Sequence, residues 1–262
     1  MVSIAGLRIG ATVSSPFLPN PLASAHSLDI SDAFLAAARL ILGADTAFFG
    51  IVRLSLTVTL AAVTAAAVIG LPLGALLALS RFPGRPAVIV LVNGLMGLPP
   101  VVAGLVVFLL LSRSGPLGSL GLLFSPMAMI TAQTILVLPI IVAITRQLVE
   151  DLHGEYREHL ASVGLSGIRA IPTLLWDGRF ALTTAVLAGF GRASAEVGAV
   201  LIVGGNIAGY TRTMTTSIAL ETSKGDLPLP LALGLGIVLI LLTLAINALT
   251  YGASRFGARF AG

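Results

Sequence analysis

Long uncharged runs dominate the chain and set its elements. Leu54–Ser80 carries no Asp, Glu, Lys or Arg over 27 residues, and Pro86–Ser112, Ser114–Thr145 and Leu227–Ser254 follow the same pattern. About 20 apolar residues in a helix cross the hydrocarbon of a bilayer, so each run suffices for one span. Phe180–Gly204 reads as a further span, interrupted by Arg192 and Glu196. The pattern predicts five spans, over roughly 51–79, 88–111, 123–147, 180–204 and 229–254. Between the third and fourth lies a polar stretch, 146–179, with Arg146, Glu150, Asp151, Glu155, Arg157, Glu158, Arg169, Asp177 and Arg179. Ahead of the first run, Ser31 or Asp32 can cap a short helix to about Leu42. Its apolar residues suit the membrane interface, while Asp32 and Arg39 argue against a span. Residues 1–27 are rich in Pro, Ser and Gly. Pro16, Pro19 and Pro21 break the apolar stretch that a signal peptide needs, so this segment reads as a loose extracytoplasmic tail. The organisation expected is a tail with an interfacial helix over 1–47 and a transmembrane domain over 48–262, with a polar loop at about 148–178.

Composition supports a lipid solvent. Hydrophobic residues make up 56% of the chain and charged residues 10%, against about 25% charged in soluble domains. A soluble fold needs a polar exterior that this chain cannot supply. The net charge is +4, and 14 of 15 basic residues are Arg. No basic stripe is interleaved with aromatics, which argues against nucleic acid. Basic residues here report orientation instead. With the 146–179 loop in the cytoplasm, eight basic residues fall inside (Arg81, Arg85, Arg146, Arg157, Arg169, Arg179, Arg255 and Arg259) and six outside (Arg8, Arg39, Arg53, Arg113, Arg212 and Lys224); the short loops show the bias best, with Arg81 and Arg85 against Arg113. The expected topology is N-terminus out and C-terminus in, at the cell membrane. The chain has no Cys, so disulfides and thiol-ligated metals are excluded. Pro72, Pro99-Pro100 and Pro139 fall inside spans, where kinked or broken helices are tolerated beside neighbouring helices or a cavity. Gly94, Gly97 and Gly104 flank Pro99-Pro100, so that stretch is the one most apt to unwind.

The signatures of common catalytic chemistry are missing. No G-x-x-x-x-G-K-[ST] loop, G-x-S-x-G elbow or H-E-x-x-H occurs. His26, His153 and His159 lack ligand spacing. No catalytic residue, cofactor or metal is expected. Three segments stand out. Residues 155–178 suggest a short helix ending near Gly164 and a second helical stretch from about Ser166, suited to docking another protein or to an ordinary solvated loop. Arg192 and Glu196 lie four apart, on one helix face, as a pathway-lining pair or a structural ion pair. Residues 204–226 gather hydroxyls, glycines and Arg212. A tetrahedral dianion wants such donors without excessive fixed charge, although an exposed outer loop has the same composition.

These segments resemble a known family. Glu158 and Gly164, six apart, resemble the cytoplasmic E-A-A, three residues, G loop of ABC importer permeases; His159 and Leu160 stand at its two alanines. Phe190-Gly-Arg-Ala-Ser-Ala-Glu-Val-Gly-Ala199, followed by Gly204-Gly-Asn-Ile-Ala-Gly-Tyr-Thr-Arg212, is similar to the sulfate, molybdate and tungstate permeases, with Ala195 where that pattern usually has Gly. Gly94–Pro100, Leu109–Gly118 and Thr216–Asp226 resemble the tungstate branch, and the likeness spans about 48–254. The resemblance implies an all-α permease of about five transmembrane helices, working as a homodimer with the pathway at the subunit interface. It implies two copies of a separate ATP-binding subunit and an extracytoplasmic oxyanion-binding protein. It points to Glu158, His159, Ala161 and Gly164 for coupling, and to Arg192, Glu196, Asn206, Thr211, Arg212, Thr215 and Thr216 for the anion pathway. Tungstate is the cargo expected; molybdate, sulfate, and a channel or scaffold unrelated to ABC importers are the alternatives.

Overall fold

The structure is a computed structural model that describes residues 35, 38–39, 41–43, 45–224 and 230–260. Ten α-helices are described: α1 (Thr46–Leu79), α2 (Arg85–Met96), α3 (Pro100–Leu111), α4 (Pro126–Glu155), α5 (Arg157–Ser162), α6 (Ile171–Asp177), α7 (Arg179–Ser194), α8 (Gly198–Gly204), α9 (Met214–Ser223) and α10 (Pro230–Phe260). Short 3-10 turns sit at Gly118–Leu120 and Gly167–Ala170. The all-α expectation holds. Of the helix expected over 31–42, Leu35, Ala38, Arg39, Ile41 and Leu42 are helical; its other positions, and the tail 1–34, lie outside the described residues.

Among the described residues, three helices are long and apolar enough to cross a membrane: α1, α4 and α10. Two bent pairs, α2 with α3 and α7 with α8, bring the number to five if each pair is one span. The α2–α3 bend is 103° and falls at Gly97–Pro99, the stretch expected to unwind. Pro100 opens α3 at its first turn, where no helical N–H is missed. Pro72 and Pro139, by contrast, lie inside continuous helices. The fourth expected span differs from the expectation. It is broken at Ala195–Val197 and bent by 61°, without a proline.

Caps mark the ends. Asp45 Oδ1 accepts from the amides of Ala47 and Phe48 to start α1. At the other end of α1, Arg85 donates to the carbonyls of Leu77 and Ala78 and pairs with Glu150 of α4. Arg146 binds the second oxygen of Glu150 at 2.6 Å. One carboxylate therefore ties the end of α1, the start of α2 and the end of α4 together.

Helix α4 is the hub. It packs on α1, α2, α3, α7 and α8, and its buried residues lie all around it, from Met129 and Ala132 to Ile141 and Val149. A helix apolar on every side belongs in an interior. Its closest neighbour is α1, which offers Ala62, Ala66, Gly70 and Gly74, all buried and four residues apart. Small residues at that spacing let two membrane helices approach closely. A Cβ on Gly74 would lie 2.7 Å from the carbonyl oxygen of Val142 and from Thr145 Cβ. Along the rest of the bundle, Val58, Val107, Leu111, Met129, Leu136, Val200 and Val203 form one cluster joining α1, α3, α4 and α8.

Candidate functional site

The bundle has two ends. The loop end carries the α1–α2 turn, the end of α4, α5 and α6. The turn end carries the start of α4 and the 204–213 segment.

At the loop end, α5 is short and amphipathic. Leu160 is buried with Val149, Leu174 and Ala75, while Glu158, His159 and Ala161 are exposed on the outer side. Gly164 explains why the helix stops. Its φ is +74°, and its N–H reaches the carbonyl of Ala161 at 3.1 Å. The next amide, Leu165, reaches back to the carbonyl of Leu160 at 2.8 Å. These two bonds are the Schellman ending of a helix, and the apolar contact of Leu165 with the Leu160 cluster completes it. The spacing of Glu158 and Gly164 thus sets the length of an exposed helix. The second helical stretch expected from about Ser166 is present as the 167–170 turn and α6.

At the α7–α8 break, Arg192 Nη1 binds Glu196 Oε2 at 3.0 Å, so the pair read from the sequence is formed. Glu196 does more than pair. Its Oε1 accepts from the amide of Ala199 at 2.9 Å, in the first turn of α8, and its carbonyl accepts the hydroxyl of Thr215 at 2.8 Å. The Glu196 side chain is 2% exposed and that of Arg192 is 27% exposed. Glu196 is therefore the joint that holds the broken span in its bend.

The 204–213 segment closes through Gly205 at φ +70° and Asn206 at φ +50°. Gly and Asn are the residues that best tolerate this left-handed region. Thr211 Oγ1 donates to the carbonyl of Gly204 at 2.6 Å and accepts from the amide of Ile207 at 2.9 Å, locking the turn. Arg212 makes a long bond of 3.4 Å to the carbonyl of Asn206; its Nε and the Oδ1 of Asn206 are buried without partners. Thr213 and Thr216 form a reciprocal capping box at the start of α9. The candidates thus fall into two groups, Arg192, Glu196 and Thr215 around the break and Asn206, Thr211 and Arg212 in the turn, with Thr216 in the cap of α9.

Other residues join these groups. Ser55 of α1 accepts the amide of Met214 at 2.7 Å. Gln133 of α4 donates to the carbonyl of Ala193 at 3.2 Å, and its Oε1 is buried without a partner. Ser55, Thr59, Gln133, Ser194, Thr213 and Thr215 provide the polar lining of a cavity of about 20 Å³. That is room for about one water and too little for a tetrahedral oxyanion. Gln133 is the one side-chain amide in the run Ser114–Thr145, the sequence signal that marks it. Outside the turn, Arg53 and Arg212 border an open cavity of about 790 Å³ with Thr57 and Tyr210. Arg53 is exposed and has no ion pair among the described residues. A cavity with two cations and no paired acid attracts anions.

No family model matches the chain. It is similar over most of its length to several named sequences. One is a probable anion ABC transporter permease protein of Haloferax volcanii, 41% identical over 220 residues, which are 82% of this chain and 91% of the relative. Another is the tungstate uptake system permease protein TupB of Peptoclostridium acidaminophilum, 40% identical over 222 residues, 85% of this chain and 96% of the relative. The sulfate transport system permease protein CysW of Escherichia coli is 31% identical over 191 residues, 68% of this chain and 63% of the relative.

Proposed function

The chain belongs to the multi-pass permease subunits of ABC importers for oxyanions, and from that premise we propose that it carries tungstate into the cytoplasm as one half of a homodimer. The near full-length likeness to a tungstate uptake permease carries the choice of cargo. The cavity bordered by Arg53 and Arg212 at the turn end supports an anionic one.

The orientation that fits is turn end out and loop end in, with the N-terminus out and the C-terminus in the cytoplasm of a cell whose plasma membrane holds the chain. A binding protein delivers the anion to the turn end. Two copies of a separate ATP-binding subunit sit at the loop end and supply the hydrolysis that this chain does not perform. The exposed face of α5, with Glu158, His159 and Ala161, docks there, and Gly164 fixes where that helix ends. Because Leu160 anchors α5 to α1 and α4 through Ala75 and Val149, a shift of α5 is passed directly to the bundle. Movement at the α7–α8 joint then changes the path at the turn end, where Arg192, Glu196, Asn206, Thr211, Arg212, Thr215 and Thr216 lie. A cavity near Gln133 with room for one water supports a route along a surface completed by a second subunit, not through one chain. Nucleotide drives the switch through its different affinity for the two states.

Uptake of tungsten and molybdenum, measured by elemental analysis in host cells with and without the gene at nanomolar supply, tests the cargo. Loss of tungsten uptake alone is the expected result. Loss of molybdenum alone moves the cargo to molybdate, and no change in either metal removes the reading.

A further inference from the structure

The loop end also holds a basic cavity beside the docking face of α5, with which it shares Ala161. Arg81, Arg157 and Arg169 border one open cavity of about 680 Å³, together with His153. None of the three arginines has a side-chain hydrogen bond or ion pair among the described residues. His153 Nδ1 is buried and has no partner. The adjoining carboxylate, Glu150, is already shared between Arg85 and Arg146. Asp151, Glu155 and Glu158 are exposed nearby, but none of them lines the cavity. The cavity is thus a concentration of positive charge with no resident counter-charge.

A second feature says what kind of anion suits it. A groove of about 310 Å³ runs between α1, α2 and α4, lined almost wholly by apolar side chains such as Leu73, Leu77, Val92, Leu95 and Leu138. Ser80 lines both this groove and the basic cavity. Ser80 also follows the last residue of α1, where the apolar run gives way to Arg81. An apolar slot beside spanning helices that meets a cationic cavity at a shared residue, Ser80, is complementary to an amphiphile with an anionic head. A soluble oxyanion has no use for the slot. A carboxylate from a docked protein has none either.

We propose that Arg81, Arg157, Arg169 and His153 bind the phosphate of an anionic phospholipid whose acyl chain lies in the groove between α1, α2 and α4. Three guanidinium groups match a phosphate's oxygens, and basic pockets at the ends of spanning helices suit such headgroups. The lipid would lie against α5, so its occupancy would affect how firmly that helix is held. The site does not depend on which anion is transported, so its failure leaves the cargo reading untouched.

The test uses the full chain in nanodiscs of phosphatidylcholine with and without phosphatidylglycerol, reading bound lipid by native mass spectrometry and the thermal midpoint in parallel. Phosphatidylglycerol is expected to bind preferentially and to raise the midpoint. Each of R81Q, R157Q and R169Q should weaken that preference roughly fivefold, and the triple variant should abolish it. The lysine counterparts should retain it, with midpoints in phosphatidylcholine equal to those of the glutamine variants. Val92→Trp, which fills the groove, should lower lipid binding with the arginines intact. Equal binding of the two lipids, or a preference that survives the triple variant, overturns the proposal. So does equal protection by glycerol phosphate or inorganic phosphate without lipid, which assigns the cavity to a free phosphate. Loss of the preference when the ATP-binding subunit is present assigns the arginines to that subunit's carboxylates and also overturns it.

Discussion

Two residues act here through the backbone conformation they hold. Glu196 accepts one charge-assisted hydrogen bond from Arg192 and one bond from the amide of Ala199. Glu196→Gln keeps an oxygen for that amide and gives up the charged bond, worth about 1.5–3 kcal/mol in a buried site. Because Arg192 is partly exposed, the stability loss should lie at the low end. The variant should still assemble and purify, while anion uptake falls on the order of tenfold because the joint is loosened. Unchanged uptake would mean that the pair is only structural. Gly164 acts through its φ of +74°, with open space where a Cβ would stand. Gly164→Ala therefore costs only the conformational penalty, about 1–2 kcal/mol, and should fray the end of α5. The ATP hydrolysed per anion delivered should rise severalfold in reconstituted vesicles, with the protein otherwise intact; a normal ratio removes Gly164 from coupling. The spacing of Glu158 and Gly164 was legible in the sequence because a helix end is a local event. The role of Glu196 as a cap was only half legible: its pairing with Arg192 follows from i, i+4 geometry, but its bond to Ala199 requires a break that nothing local announces.

At the scale of elements, the two broken spans differ in how they announce themselves. Pro99-Pro100 with flanking glycines marks a break by removing amide donors and adding backbone freedom, and α2 and α3 part there by 103°. The 61° bend between α7 and α8 has no such marker. It is stabilised by contacts distant in sequence, including Thr215 on the carbonyl of Glu196 and Gln133 on that of Ala193. The same limit hides α4 as the hub, since an uninterrupted apolar run reads alike on a lipid-facing and a fully buried helix. The α1–α4 contact is the element most sensitive to volume. Gly74→Val should force the helices apart, because a Cβ already meets the Val142 carbonyl at 2.7 Å and backbone cannot yield cheaply. Overpacking of this kind costs about 1–3 kcal/mol, so the midpoint of the purified protein should drop by several degrees and the membrane yield with it. An unchanged midpoint would show that α1 and α4 are not held at this distance.

At the scale of the whole molecule, orientation and assembly decide the account. The chain has no Cys, so single cysteines report topology without background. Ser162→Cys on α5 should react with a membrane-impermeant maleimide only in inverted vesicles, and Ser114→Cys, exposed after α3, only in intact cells. The reverse pattern would place the loop end outside and end the coupling reading. The charge bias behind this expected orientation rests on the short loops, Arg81 and Arg85 against Arg113. Composition alone does not call for the proposed second subunit, because the apolar faces of α2, α3 and α10 have the same composition whether they meet lipid or protein. The most direct test is transport itself. The chain would be reconstituted into vesicles with its ATP-binding subunit and binding protein, and tungstate accumulation followed with ATP and with a membrane potential alone. The account predicts accumulation that requires ATP, ignores the potential and disappears without the ATP-binding subunit. Accumulation driven by an ion gradient in the absence of ATP would contradict it.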